Sequence, residues 1–207
     1  MKDLKSISLK SKNIIDFSRK YFERLQDIFK SVDKKKIEEL EKKFYQTRSR
    51  GGNIFVFGNG GSAANASSMA NDLGFDVLKK TGLKKCFKVF SLNDNTSVLT
   101  AISNDVGYDQ VFLGQLKIHF RPKDLVIILS ASGKSKNLVK TVNWVKKNNG
   151  YVFSIVGFNG GILKKISNNY IHIKSNVGEY GPVEDIQLII NHIFAHWFQK
   201  IFKIRKS

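Results

Sequence analysis

The sequence predicts a doubly wound α/β fold on a five-stranded, mainly parallel sheet, preceded by an N-terminal helical extension. Three observations carry that prediction. Short apolar runs rich in β-branched and aromatic residues recur along the chain: "NIFVF" (53–57), "FKVFSL" (87–92), "LVIILSA" (125–131), "YVFSIVG" (151–157) and "YIHIKS" (170–175). The first four are apolar enough to be buried on both faces, as parallel strands are. The segments between them are long enough for crossover helices, and such alternation gives a doubly wound sheet with right-handed connections.

The elements follow in order. Residues 11 to 50 place apolar side chains at helical spacing, Ile14-Phe17-Tyr21-Leu25-Phe29 and then Ile37-Leu40-Phe44. Lysine-rich "SVDKKK" separates these two helices, with Asp33 as a candidate N-cap. Further helical patterns cover Ala63 to Leu78, Thr96 to Phe120 with a break near Gly107, Lys136 to Asn148, and a short stretch after Gly161. Pro182 marks the start of a last helix, Val183 to Phe202. Its apolar residues, among them Ile186, Ile189, Ile190, Ile193, Phe194 and Trp197, cover more than one core face, which predicts burial against a partner subunit. A single domain over residues 1–207 is expected, with residues 1–50 as its helical N-terminal element.

Composition narrows the function classes. The 207 residues are 42% hydrophobic and 25% charged, values that allow a full core and exclude wholesale disorder. No apolar stretch reaches the roughly 18 residues of a membrane span, and polar residues interrupt every candidate signal-peptide core. A single cysteine, Cys86, excludes an internal disulfide. A cytoplasmic location is the resulting expectation. The net charge of +18 raises a nucleic-acid reading. Against it, the basic residues are spread from Lys2 to Lys206 without a recognition helix or stacking platform, so a lysine-rich surface attracting anionic metabolites is expected instead.

Two loops carry the chemistry. "GNGGSAANASSMAND" (58–72) follows a strand and opens a helix, so Asn59, Gly60, Gly61 and Ser62 lie among unsatisfied N–H groups at the positive end of a helix dipole. Bare backbone there admits an anion. Gly58-x-Gly60-x-x-Ala63 also fits a dinucleotide fingerprint, with Asp94 as a ribose-binding acid, but too little chain remains for a second mononucleotide half. "ILSASGKSKN" (128–137) repeats the geometry: Ser130, Ser132 and Ser135 set three hydroxyls around Gly133 at the next helix start. Helix capping would need one serine; three beside a second glycine loop point to a phosphate ester. A Walker A loop is excluded because position 128 is Ile where that motif needs glycine.

Together with "TAISNDVGYDQVF", "GFNGG" and "VEDIQLIINHI", these loops resemble the sugar isomerase (SIS) family over nearly the whole chain, in particular its phosphoheptose isomerase (sedoheptulose 7-phosphate isomerase) type. The resemblance implies a flavodoxin-like SIS fold, a homotetramer with sites near subunit boundaries, and a phosphosugar substrate. It implies that the serine loop (Ser130, Ala131, Ser132, Ser135) holds the phosphate, while Asn59, Gly60, Gly61, Ser62, Asn104, Asp105 and Glu184 face the sugar. It further implies ketose–aldose interconversion through an enediol, with Asp72 and His192 as the acid–base pair, in a route to nucleotide-activated heptose for surface polysaccharide. A regulatory SIS protein that binds a phosphosugar, or associates with the replication initiator, is the alternative.

The sequence departs from that type at Ser68, where His is usual, at Asp72, where Glu is usual, and at Glu184, where Gln is usual. Those positions, with His192, are also the family's metal ligands. Asp72, Glu184 and His192 therefore remain as a candidate set, with zinc implied by resemblance and harder ions better suited to the carboxylates. Without the resemblance, His192 reads as a hydrogen-bonded core histidine and Asp72 as a solvent-facing acid. Standing eight residues after Glu184, His192 shares roughly one side of the helix with it.

Overall fold

The computed structural model describes residues 3–204, so the two ends of the expected domain, residues 1–2 and 205–207, lie outside it. Three helices come first: α1 (Leu4–Lys10), α2 (Ile14–Lys30) and α3 (Lys34–Ser49). Each is started by a side chain that accepts an N–H of the first turn, from Asp3, Asn13 and Asp33 respectively. Asp33 is thus the cap expected of it, whereas α1 carries too few apolar positions to have been read from periodicity.

The sheet follows as β1 (Asn53–Gly58), β2 (Lys88–Ser91), β3 (Leu125–Ser130), β4 (Tyr151–Val156) and β5 (Asn169–His172). Its order is β2-β1-β3-β4-β5, and every neighbouring pair is parallel. Alternate residues feed two cores. Ile54 and Val56 of β1 and Leu125, Ile127 and Leu129 of β3 face one cluster, while Phe55, Phe57, Val126 and Ile128 face the other. The first is closed by α2, α3, the last helix α10 (Tyr180–Ile204) and the helical stretch after β1, comprising α4 (Gly61–Ala70), a π-helical turn (Asn71–Asp76) and α5 (Val77–Thr81). The second is closed by α7 (Val111–His119) and α8 (Lys136–Lys147), with α6 (Thr96–Asp105) and α9 (Leu163–Ile166) alongside.

Three expectations change. β2 is not buried on both faces: it is the sheet edge, and Lys88 and Phe90 are exposed. The helix expected from Ala63 to Leu78 is broken by the π-helical turn. The last helix begins at Tyr180 and not Val183, because Pro182 in a first turn removes only an N–H that has no intrahelical acceptor.

The start of α10 is fixed by charge. Arg24 of α2 grips Glu179 with two hydrogen bonds, of 3.0 and 2.6 Å, both side chains being almost fully buried. Glu179 also accepts the N–H groups of Leu4 and Asn176. Burial pushes the Glu179 carboxyl up, but these bonds outweigh it and leave the pKa lowered.

Candidate active site

The strand order reverses between β1 and β3, and open α/β sheets bind ligands outside the carboxyl ends of strands at such a point. Both motif loops lie there. The glycine loop leaves β1, pinned by a reciprocal pair in which Asn93 Nδ2 donates to Gly58 O at 3.0 Å and Gly58 N donates to Asn93 Oδ1 at 3.2 Å. The serine loop leaves β3. Ser130 Oγ accepts Gly133 N–H at 3.0 Å and Ser132 Oγ accepts Lys134 N–H at 3.3 Å, while Ser135, at the N-cap of α8, makes no side-chain cap bond.

Side-chain amides join the loops. Asn59 and Asn137 exchange hydrogen bonds of 3.1 and 2.9 Å, and Tyr108 Oη donates to Asn59 Oδ1 at 2.9 Å. Neither Asn137 nor Tyr108 was singled out in the sequence. Both lie within the segments quoted for the family resemblance, but only the fold brings them to Asn59. Asn104 and Asp105 stand exposed at the end of α6, Asn104 donating to Asp105 at 2.9 Å; no hydrogen bond ties either to the loops among the described residues.

Glu184 lies directly over Gly61: a Cβ there would sit 2.2 Å from Glu184 Oε2. Burial pushes the Glu184 carboxyl up, Asp185 adds to the shift, and a bond from Ser62 N–H opposes it. The Ser62 side chain does not face outward as the substrate reading expected. It is buried, and its hydroxyl donates to Gln187 Oε1 at 3.0 Å, which Asn65 also approaches. Asp94, the candidate ribose acid, accepts the Ser67 hydroxyl.

A second cluster lies further along the same helices. Asp72 Oδ2 is 3.6 Å from His192 Nε2 and accepts Asn191 Nδ2 at 2.6 Å, while Asn71 Nδ2 donates to Oδ1 at 3.0 Å. The π-helical turn carries Asp72 to this contact, and such turns concentrate at functional sites. The acid and the imidazole therefore converge. Along α10, His192 lies eight residues beyond Glu184, a rise of about 12 Å.

Among the described residues no three His, Cys, Asp or Glu side chains are placed to hold an ion, so Asp72, Glu184 and His192 do not form the expected donor set. Glu184 lies instead over the Gly61 end of α4. Other candidates have structural surroundings. His172 lies between Phe158 O and Lys164 Nζ, burial lowering its pKa, and Cys86 is a half-buried free thiol.

The SIS-domain model matches residues 20–157. The chain belongs to the SIS-domain family. This SIS-domain chain is 32% identical over 185 residues to the phosphoheptose isomerase of Helicobacter pylori strain P12, covering 89% of each protein. It is 35% identical over 149 residues to that of Leptospira biflexa, covering 72% of this chain and 75% of the relative. Phosphoheptose isomerase GmhA from Neisseria gonorrhoeae superimposes with a TM-score of 0.78 at 22% identity, over 91% of this chain and all of that one, and shares the fold.

Proposed function

We propose that this SIS-domain chain is a phosphosugar isomerase interconverting sedoheptulose 7-phosphate and an aldoheptose 7-phosphate through an enediol, in a route to nucleotide-activated heptose for surface polysaccharide. The observation that carries the proposal is the approach of Asp72 to His192, two groups able to move a carbon-bound and an oxygen-bound proton. The names of its relatives supply the substrate class.

In this reading Asp72 takes the proton from C1 of the ketose while His192 protonates the C2 carbonyl oxygen, giving the enediol. Asp72 then returns a proton to C2 as His192 removes one from the C1 hydroxyl. Ser130, Ser132 and Ser135, with the backbone of Ala131 and the start of α8, receive the phosphate. Asn59, Gly60, Gly61, Asn104, Asp105 and Glu184 read the sugar hydroxyls.

The proposal includes a single SIS domain over the whole chain and a homo-oligomer, a tetramer by family type. Ile189, Ile193 and Trp197 form an exposed apolar stripe at i, i+4 and i+8 on α10, bordering His192. Covering that stripe with another copy would let the acid–imidazole pair of one subunit complete the loops of the next. No helix is long and apolar enough to cross a membrane among the described residues.

The test is proton exchange and product formation. The protein with sedoheptulose 7-phosphate in deuterated water should place deuterium on carbon and yield the aldose. Tight binding of phosphoketoses without exchange would favour the regulatory reading instead, for which Ser68 in place of His is the motivating feature. Inactive Ser132→Ala and Asp72→Asn chains should regain activity on mixing if the sites are shared.

A further inference from the structure

Asn191 stands where packing alone would select an apolar side chain. It is fully buried in the middle of α10, beside the core residues Ile190, Phe194 and Ala195. Its Oδ1 has no hydrogen-bond partner among the described residues, and leaving a buried acceptor unpaired costs stability. Leucine has nearly the same shape and would leave nothing unpaired. A residue that breaks the packing rule at a local cost is expected at a working site.

The gain lies at the other end of the amide. Asn191 Nδ2 donates to Asp72 Oδ2 at 2.6 Å, the same oxygen that faces His192 Nε2 at 3.6 Å. An asparagine amide offers both donor and acceptor; a carboxylate only accepts. The contact therefore fixes which end of Asn191 points to Asp72 and leaves the carbonyl orphaned. One turn earlier Gln187, also fully buried, makes the complementary choice. Its Oε1 accepts from Ser62 and Asn65, and its Nε2 is left without a partner. Two amides of α10 thus reach across to the α4 side, and only the second ends on a titratable group of the candidate site.

We infer that Asn191 is a positioning residue, holding the Asp72 carboxylate in the rotamer that meets His192. Asp72 is partly exposed and rides on a π-helical turn, and among the described residues its second oxygen is held only by the exposed Asn71. The bond from the buried helix is the firm one. A base displaced by about 1 Å can lose on the order of 100-fold in rate with binding intact. This inference rests on the isomerase reading, and Asn191 acts through Asp72 without touching substrate.

The experiment compares wild type, Asn191→Leu and Asn191→Asp by kcat, KM, deuterium wash-in and thermal midpoint. Asn191→Leu should fold, melt close to wild type, and lose roughly 10- to 100-fold in kcat with KM changed less than about two-fold. Asn191→Asp keeps the shape but replaces the donor by an oxygen. Burial and the neighbouring Asp72 raise the pKa of the new carboxyl, so the variant should be as slow as the leucine variant at alkaline pH, where both carboxyls are ionised, and recover as falling pH protonates the new one and restores a donor. A residue serving only to fill space would show neither the KM–kcat split nor that acid recovery. Folded variants that turn over within about two-fold of wild type overturn the inference, as does failure of both variants to fold. A wild-type chain that exchanges no proton removes the isomerase reading and this inference together; an active wild type with active variants removes the inference alone.

Discussion

The glycine loop after β1 and the serine loop after β3 both turn from a central parallel strand into a helix through a glycine of positive φ, Gly60 at +58° and Gly133 at +64°. Their surroundings differ. A Cβ at Gly60 would meet nothing within 4 Å, whereas one at Gly133 would lie 2.1 Å from Gly160 O. Leu163 N–H also donates to Gly133 O, so the serine loop is braced by the Gly160–Gly161 turn beneath it. One glycine leaves backbone open to a ligand; the other lets two loops touch. The same local grammar therefore leaves open backbone in one place and makes a packing contact in the other, and the difference is set by which segment the fold lays alongside.

Substitutions at these glycines separate the two loops. Gly133→Ala should have the largest effect, about 3–5 kcal/mol of stability from strained φ plus backbone overlap, read by urea unfolding. Gly60→Ala meets strain without overlap and should cost about 1–3 kcal/mol, with the functional damage appearing in KM. If the two variants proved equally stable, the distinction between open and packed loops would be lost. Coupling between the loops is smaller. A double-mutant cycle on Asn59→Ala and Asn137→Ala should return about 1 kcal/mol, the scale of their shared hydrogen bonds. Gly61→Ala should change stability least, by less than about 1 kcal/mol, because the neighbour in its way is the mobile end of Glu184 and alanine favours the helix. Its signature is a raised KM as Glu184 is pushed aside.

The sheet was legible because strands buried on both faces read as near-continuous apolar runs, and β1, β3 and β4 do, with Ser154 the one polar residue inside a run. β2 was misjudged because "FKVFSL" looks alike whether one or two strands flank it; only the sheet order shows that Lys88 and Phe90 face solvent. The motif loops were legible since glycines and serines at a strand-to-helix turn are a local signal. Contacts between distant segments were not. Arg24 and Glu179 are 155 residues apart, Asn191 and Asp72 are 119 apart, and nothing local marks either pair. The π-helical turn was hidden as well, because one extra residue in a helical turn leaves the surrounding apolar period nearly unchanged.

The central claim is that Asp72, facing His192, moves the carbon-bound proton. Its most direct test is the rate at which deuterium from solvent enters sedoheptulose 7-phosphate, followed by proton NMR with wild type and with Asp72→Asn. Loss of a general base predicts a fall of about 10²- to 10⁴-fold with the substrate still bound. Wash-in by Asp72→Asn at the wild-type rate would contradict the account.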